Sequence, residues 1–334
     1  MMMNSMKNQC KVSPGAIIQG KWHRHTYTIV KELGFGANGI VYLAKRNQEY
    51  VALKMSDNGM SITSEVNVLK SFAKVQGSAL GPSLYDVDDW EQGTGQISFY
   101  VMEYIQGPDF MSFIAQKGHS WLPVLILQLL SDLEKLHRNG WIFGDLKPEN
   151  LIVTGPSPRI RCIDVGGTTL KGRAIKEFTE FYDRGYWGLG SRKADEGYDL
   201  FAVAMIMLHT AYPKRFSKTT GGITQLSEQL KQSKALQKYA FVILRALEGR
   251  YHSATEMRQD LLKAISHEKG ARQTSINTRS RASQTKAFHT QAGVNGASRQ
   301  GKQRRQRKGG FVETLLLTVV FLVFYAFYIF GQLI

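Results

Sequence analysis

The stretch Trp141–Val153, WIFGDLKPENLIV, places a short polar loop between two apolar runs. Asp145 and Asn150 lie five residues apart on this loop, and the ring of Pro148 fixes part of the backbone between them. A single aspartate in a loop can simply cap a turn. The function of this loop therefore depends on the motifs that the rest of the chain supplies around it.

A glycine-rich stretch, GFGANGIV, lies upstream. Its Gly34, Gly36 and Gly39 form the pattern G-x-G-x-x-G, which Val41 extends. Backbone without a Cβ can close over phosphate oxygens and offer its N–H groups to them. The pattern alone is weak evidence. These glycines lie between two predicted strands, and not between a strand and a helix, which argues against a Rossmann dinucleotide site.

Three charged residues complete a set with the loop. Lys54 ends the predicted strand YVALKM, and Glu65 lies on SITSEVNVLKSFAKV, which has helical spacing of apolar residues. Asp164 ends an apolar strand fourteen residues after Asn150. Taken singly, each is an ordinary surface residue or turn cap. Their combined order and spacing are very unlikely to arise by chance, and they favour an ion pair between Lys54 and Glu65.

In this order the motifs resemble those of Hanks-type, eukaryotic-like Ser/Thr protein kinases, over residues 25 to about 265. The resemblance implies an α+β, bilobal protein-kinase-like fold, with a small β-rich N-lobe, a larger α-helical C-lobe and a cleft between them. The chain is also similar to the short membrane-anchored kinases of spore-forming Gram-positive bacteria, because its kinase motifs are followed by one apolar segment near the C-terminus.

The resemblance also implies ATP and Mg²⁺ as cofactors and assigns roles to the polar residues. Asp145 would orient the substrate hydroxyl and accept its proton, and Lys147 would contact the transferred phosphoryl group. Asn150 and Asp164 would hold the magnesium. The ATP-binding residues implied are Gly34, Phe35, Gly36, Ala37, Asn38, Gly39, Val41, Ala52, Lys54, Glu65, Met102, Glu103 and Ile105.

Two positions of the family pattern are changed beside these motifs. Phe143 stands where the family has histidine, and Val165 stands where it has phenylalanine. Both remain apolar, so we expect them to form one apolar column with Leu69. Gly144 replaces the arginine that usually binds a phosphate on the activation loop. Activation through a phosphate at this position is therefore not expected.

The Ala-Pro-Glu landmark of the family is absent, and YDRGYWGLGSRKADEGYDLF occupies its place. Asp199 matches the aspartate that braces the catalytic loop from below. Arg250 matches the arginine that normally pairs with the missing glutamate, and Asp195 and Glu196 both stay open as its partner. Residues Tyr182–Gly190 are expected to form an unusual substrate platform.

The chain is predicted to have four segments: a flexible leader (1–21), a protein kinase domain (22–268, N-lobe 22–105 and C-lobe 106–268), a basic disordered linker (269–310) and a transmembrane helix (311–334). Two distant cysteines, Cys10 and Cys162, exclude a disulfide framework and favour a reducing compartment. The net charge of +16 is uneven, because residues 269–310 carry eleven Lys or Arg and no acidic residue.

The C-terminal segment is apolar on every helical face, which disfavours a buried core helix. No residue from Leu315 to Phe330 is charged, and with its flanks the run reaches the roughly 20 residues that cross about 30 Å of hydrocarbon. The basic KQRRQRK stands just before it. Basic flanks stay inside, so we predict a single-pass protein of the cell membrane with a cytoplasmic kinase domain and its C-terminus at the outer side.

The basic linker has two possible ligands, anionic lipid and the phosphate backbone of DNA. Its interleaved Gln, Asn, Ser and Thr side chains can donate hydrogen bonds to phosphates. The candidate DNA or lipid phosphate contacts are Arg272, Arg279, Arg281, Lys286, Arg299, Lys302, Arg304, Arg305, Arg307 and Lys308.

The predicted function is that of an ATP-dependent Ser/Thr protein kinase tethered to the membrane, with DNA as a candidate activator. Expected partners are protein substrates, the membrane, DNA through residues 269–310, and a second copy for autophosphorylation. Two alternatives stay open. A catalytically silent, nucleotide-binding membrane scaffold is disfavoured by the retained Asp145 and Asp164. A small-molecule phosphotransferase is disfavoured by the continuation KPEN and the long activation segment.

Overall fold

The computed structural model describes residues 10–36, 38–74, 80–92 and 95–266. Its strands are β1 Ile17–Gln19, β2 Thr26–Gly36, β3 Gly39–Arg46, β4 Glu49–Ser56, β5 Leu84–Gln92, β6 Gly95–Glu103, β7 Trp141–Ile142, β8 Leu151–Thr154, β9 Arg159–Cys162 and β10 Thr169–Leu170. Its α-helices are α1 Gly59–Lys74, α2 Phe110–Lys117, α3 Leu122–Arg138, α4 Arg184–Trp187, α5 Glu196–His209, α6 Gly222–Gln232, α7 Ala240–Leu247 and α8 over 254–266. Short 3₁₀ helices cover His119–Trp121, Pro148–Asn150, Glu180–Tyr182 and Gln237–Tyr239.

The N-terminal part is a six-stranded antiparallel sheet in the order β1-β2-β3-β4-β6-β5. The first half of β2 alternates exposed and buried residues, whereas β4 buries six consecutive residues, because the two faces of the central strands pack on two different clusters of the core. Helix α1 buries Val66, Leu69 and Phe72 together with Glu65. The predicted β-rich N-lobe is therefore observed, and its single helix presents a carboxylate toward the interior.

The flexible leader predicted for residues 1–21 is wrong for residues 10–21. Strand β1 pairs with β2, and Ile18 is fully buried. Cys10 is also buried, and its carbonyl oxygen accepts a hydrogen bond from the Tyr42 hydroxyl at 3.0 Å. Three strand residues are too few to give a periodic signal, so the sequence does not reveal that this segment packs onto the sheet.

The C-terminal part is mainly helical and is organised around α5. Twelve of its fourteen residues are buried, including all those from Tyr198 to His209. A helix that is apolar on nearly every face belongs in the interior of a larger domain. Helices α3 and α7 pack against it. Strands β8 and β9 form a two-stranded sheet in this part of the chain. Asn150 lies directly before β8, and Asp164 lies two residues after β9.

Within the described ranges, no helix is both long enough and apolar enough to cross a membrane. The transmembrane helix predicted for 311–334 and the basic linker predicted for 269–310 lie outside the described residues.

Candidate active site

A cavity of about 550 Å³ lies between the glycine-rich turn of β2 and β3 and the loop that follows β7. That volume is in the usual range for a small-molecule pocket. The predicted site residues that line it are Gly34, Phe35, Gly36, Asn38, Gly39, Val41, Ala52, Lys54, Met102, Glu103, Ile105, Asp145, Lys147, Asn150 and Asp164. Glu65 is buried behind this lining, and Ala37 lies outside the described residues.

The buried pair Lys54 and Glu65 joins the sheet to helix α1. Lys54 Nζ lies 2.6 Å from Glu65 Oε2, and the Tyr100 hydroxyl donates to the same oxygen at 2.7 Å. Burial, reinforced by the neighbouring Glu65 charge, raises the pKa of Tyr100 well above its usual value, so this hydroxyl keeps its proton. Two donors therefore fix the carboxylate, and the carboxylate fixes the ammonium group at the cavity wall.

Gly39 shows why the turn above the cavity needs glycine. Its φ is +129°, and a Cβ at this position would lie 2.1 Å from the carbonyl oxygen of Met55. No L side chain fits there without moving β4. The turn therefore packs directly against the backbone of β4 at this position.

The loop that contains Asp145 is braced from α5, as predicted. Asp199 is fully buried and accepts hydrogen bonds from the backbone N–H groups of Phe143 at 2.8 Å and Gly144 at 2.9 Å. Nε2 of His137 lies 2.9 Å from the same carboxylate. These three contacts to the Asp199 side chain fix the position of the loop relative to α5 and to the cavity.

Asp145 has two polar neighbours. Lys147 Nζ contacts its carboxylate, and the Thr179 hydroxyl donates to Asp145 Oδ1 at 3.1 Å. Lys147 Nζ also lies 3.3 Å from Thr179 Oγ1. The three side chains form a closed triangle between the catalytic loop and the segment after Asp164. This arrangement orients the carboxylate toward the cavity while leaving it able to accept a proton.

Two side chains that could ligate a metal through oxygen, Asn150 and Asp164, line the polar end of the cavity. Asn150 is buried, and its Nδ2 donates to the Asp145 carbonyl oxygen at 3.2 Å, which turns Oδ1 outward as the free acceptor. Asp164 is exposed to the cavity, and the Gly166 N–H holds its Oδ1 at 2.9 Å. A carboxylate and a carboxamide oxygen are ligands that magnesium accepts, so these residues fit a phosphate-bound Mg²⁺.

The other end of the cavity is apolar, with Val41, Ala52 and Met102 in its wall. Glu103 follows Met102, and the Arg161 guanidinium contacts its two carboxylate oxygens at 3.0 and 2.8 Å. The hydrogen bonds from Arg161 lower the pKa of Glu103, although partial burial opposes this. The ion pair ties the connector between the lobes to strand β9. The apolar wall of Val41, Ala52 and Met102 suits a flat apolar group such as an aromatic base.

The changed positions are accommodated by packing. Phe143, Val165 and Leu69 are all buried in one continuous core, as the predicted apolar column requires. Gly144 has a φ of +85°, and a Cβ there would lie 2.6 Å from the carbonyl oxygen of Gly167. The backbone of this loop therefore excludes a side chain at the position where the family has arginine.

Both partners considered for Arg250 are wrong. Arg250 Nε pairs with Glu248 at 3.0 Å, whereas Asp195 pairs with Arg184 at 2.6 Å and Glu196 with Lys171 at 2.5 Å. Asp195 and Glu196 are each paired with a cation other than Arg250. The segment that replaces the family landmark is therefore held by its own ion pairs.

The predicted platform Tyr182–Gly190 is partly a core element. Tyr182 and Trp187 are buried, and Phe181 packs edge-to-face against both at ring distances of 5.3 and 6.1 Å. Only Gly188 and Gly190 of this stretch are exposed. The aromatic side chains thus anchor the segment, which limits the surface left for a substrate.

Some lining residues were not predicted. Glu177 contacts the Asn38 side chain of the glycine-rich turn, and burial raises its pKa although that hydrogen bond opposes the shift. No motif marks Glu177, because the path of its segment is set by tertiary packing. Ile163 could have been found from its place directly before Asp164. The remaining unpredicted lining residues are Leu33, Pro82, Tyr104, Gly107 and Ile152.

Comparison with known proteins adds sequence relatives. The model of the protein kinase domain family matches residues 27–284. The chain is 51% identical over 325 residues to the serine/threonine-protein kinase YabT of Bacillus subtilis, and the match covers 96% of both chains. It is 24% identical to the probable serine/threonine-protein kinase YbdM of the same species, over 72% of this chain and 90% of the relative.

Among solved structures, the kinase domain of Mycobacterium tuberculosis PknI, crystallised as a double mutant, superposes with a TM-score of 0.54. That match covers 76% of this chain and 99% of the PknI chain at 19% identity. At this identity the similarity concerns the fold alone.

Proposed function

Because the chain belongs to the protein kinase family, we propose that it transfers the γ-phosphoryl group of ATP to serine or threonine hydroxyls of proteins. The observation that carries this proposal is the arrangement around one cavity. Lys54 is held by Glu65 on one wall, and Asp145, Lys147 and Asp164 lie on the other. No residue that the phosphoryl transfer needs is replaced.

The chain's own side chains divide the work between binding and proton transfer. Lys54 neutralises the α- and β-phosphates, and its pairing with Glu65 keeps it at the wall. Asp145 positions the acceptor hydroxyl and takes its proton, while Lys147 faces the moving phosphoryl group. Asn150 and Asp164 are the residues that would hold Mg²⁺, which would supply positive charge to the phosphate oxygens.

The loop sequence DLKPEN favours an aliphatic hydroxyl as acceptor, and its Lys147 contacts both Asp145 and Thr179. The relative YabT is also described as a serine/threonine-protein kinase. The test is incubation with ATP and Mg²⁺ followed by phosphoamino-acid analysis. Phosphoserine and phosphothreonine support the proposal, whereas phosphotyrosine alone, or no transfer to protein, contradicts it.

We also propose that residues 311–334 anchor the protein in the cell membrane, with the kinase domain in the cytoplasm and the C-terminus at the outer side. The support is the uncharged run from Leu315 to Phe330 and the basic residues before it. A protease added to intact cells should leave the kinase domain undigested, and should digest it once the membrane is opened. Digestion in intact cells would contradict this orientation.

The basic segment 269–310 is proposed to bind DNA without sequence preference and to raise kinase activity when bound. Eleven cations without an acidic residue suit a phosphate polymer. Lipid headgroups beside the membrane attract the cations nearest the apolar run. The cations from Arg272 to Lys286 lie further up the chain, where a Debye length of about 10 Å at 0.1 M salt weakens the field of the membrane.

Protein ending at Gly310 should bind duplex DNA of any sequence. If about six phosphates are neutralised, the logarithm of affinity should fall against the logarithm of salt concentration with a slope near −5. Changing Arg272, Arg279, Arg281 and Lys286 to glutamine should make this slope shallower and reduce activation by DNA. Titrations at several salt concentrations, with kinase assays in parallel, measure both effects. A truncated protein that ignores DNA at low salt would leave only the lipid role.

A further inference from the structure

The two edges of the N-terminal sheet meet at a polar cluster outside the nucleotide cavity. In the strand order, β1 with β2 and β5 lie at opposite ends. The sheet nevertheless curls so that its two ends are in contact. A hydrogen bond of 2.8 Å from the Lys21 N–H to the Asp89 carbonyl oxygen shows this contact. The Tyr27 hydroxyl of β2 likewise donates to Asp86 Oδ2 of β5 at 2.6 Å. Side chains from distant parts of the sequence therefore face each other at this seam.

Two histidines converge on one carboxylate there. His23 Nδ1 lies 2.7 Å from Asp86 Oδ1, and His25 Nδ1 lies 2.8 Å from Asp86 Oδ2. One nitrogen or oxygen atom of each of the three residues lies within 4.8 Å of the others. In the described part of the chain, no other group of three His, Cys, Asp or Glu side chains meets this condition.

A second carboxylate stands beside the group. Asp88 Oδ2 lies 3.8 Å from His23 Nδ1. The backbone N–H groups of Trp22 and His23 donate to the two oxygens of Asp88 at 2.9 and 2.8 Å, which fixes its orientation. Asp86 is oriented in the same way by the buried Tyr27 hydroxyl. Outer contacts of this kind are what hold the ligands of metal sites in place.

We propose that His23, His25 and Asp86 bind a divalent ion of the zinc class, with Asp88 or water as the fourth ligand. Two imidazoles with one or two carboxylates are a usual ligand set for zinc and for the neighbouring transition metals. Magnesium and calcium prefer sites made of oxygen alone, so the Mg²⁺ used in the nucleotide cavity does not compete well here.

The hydrogen-bonded arrangement is the metal-free form of the same site. In this form each imidazole that donates to Asp86 carries its proton on Nδ1. Binding of the ion through Nδ1 requires the other tautomer, with the proton on Nε2, so each ring keeps one proton and the ion takes the place of the two hydrogen bonds. Ligand atoms about 2.1 Å from a tetrahedral ion are about 3.4 Å apart. The two nitrogens lie 2.7 and 2.8 Å from the carboxylate oxygens, so each must withdraw by roughly 0.6–0.7 Å. The His23 and His25 side chains are 55% and 41% exposed, while that of Asp86 is only 3% exposed. The exposed parts of His23 and His25 leave these side chains room to shift, while buried Asp86 stays in place.

The proposed ion would connect the two ends of the curled sheet. It would bind the segment before β2 to strand β5, which lies at the far end of the strand order. The site exists only when the sheet is curled, so the ion should bind the folded state and stabilise it by mass action.

The test uses the full chain in detergent, without a histidine tag, titrated with Zn²⁺ against a chromophoric chelator. We expect one high-affinity ion per chain and an increase in melting temperature on adding Zn²⁺. Co²⁺ should give the visible absorption of a tetrahedral site with nitrogen and oxygen ligands. The double change His23→Ala and His25→Ala should weaken Zn²⁺ binding at least 100-fold and remove the thermal shift. The exposed His252→Ala is the matched control and should behave as the unchanged chain.

Several outcomes would overturn the proposal. Absence of stoichiometric Zn²⁺ binding does so directly, and so does equal binding by the double variant and the control. His23 is exposed and His25 is half-buried, so the double variant should fold, and unchanged ATP binding verifies this. As a second variant, Asp86→Asn with Zn²⁺ affinity equal to that of the unchanged chain would also exclude the site. Kinase activity is not a readout, so failure here leaves the proposed function untouched.

Discussion

Replacing Asp145 by asparagine should lower the rate of phosphoryl transfer by about 10²–10⁴-fold, the usual contribution of a positioned general base. The carboxamide keeps the size of the side chain and an oxygen that can accept from Thr179, but it cannot take a proton. We expect ATP affinity and thermal stability to stay close to those of the unchanged protein. Autophosphorylation rates at saturating ATP and Mg²⁺ measure the effect.

The matched control is Asp57→Asn, the same chemical change at an exposed aspartate outside the cavity lining. It should leave the rate unchanged. An Asp145→Asn protein that keeps more than about a tenth of the activity would remove Asp145 from its assigned role.

The residues around the cavity were predictable because their chemistry requires fixed offsets from strands. Lys54 lies two residues before the end of β4, and Asp164 lies two residues after β9, so the strand pattern places them near the ends of elements, while the family resemblance assigns their roles. The place of Glu65 could be predicted in a similar way, because one helix follows β4 and that helix contains a single glutamate. Their 2.6 Å contact follows from two local predictions and one short connection.

Long-range partners were not predictable in the same way. Thr179 reaches Asp145 only because its segment folds back across the cavity, and no repeat or motif in KEFTEFY indicates that path. For Arg250 the family pattern left Asp195 and Glu196 both open as partners, yet the guanidinium pairs with Glu248, two residues away. The contacts of His23 and His25 with Asp86 depend on the curl of the sheet, which alternation of residues along single strands cannot show.

Asp199 separates support of the catalytic loop from catalysis itself. Asp199→Ala would leave the N–H groups of Phe143 and Gly144 and one ring nitrogen of His137 buried without an acceptor. Each of the three uncompensated donors costs about 1–3 kcal/mol, so we expect a loss of at least about 3 kcal/mol in the free energy of unfolding. Because the loop that carries Asp145 loses its brace, the rate should fall as well. Chemical denaturation and kinase assays on the same preparations measure the two quantities.

A control on the same helix makes this result specific. Asp195 caps α5 through the Tyr198 N–H, but it is part-exposed, and its removal should cost only about 1 kcal/mol. Asp199→Asn keeps one oxygen and should fall between the two alanine variants in stability. Asp145→Asn, by contrast, should lose activity at unchanged stability. If Asp199→Ala unfolds at the same denaturant concentration as Asp195→Ala, the three hydrogen bonds at Asp199 do not brace the loop, and its position must come from the apolar packing of Phe143 instead.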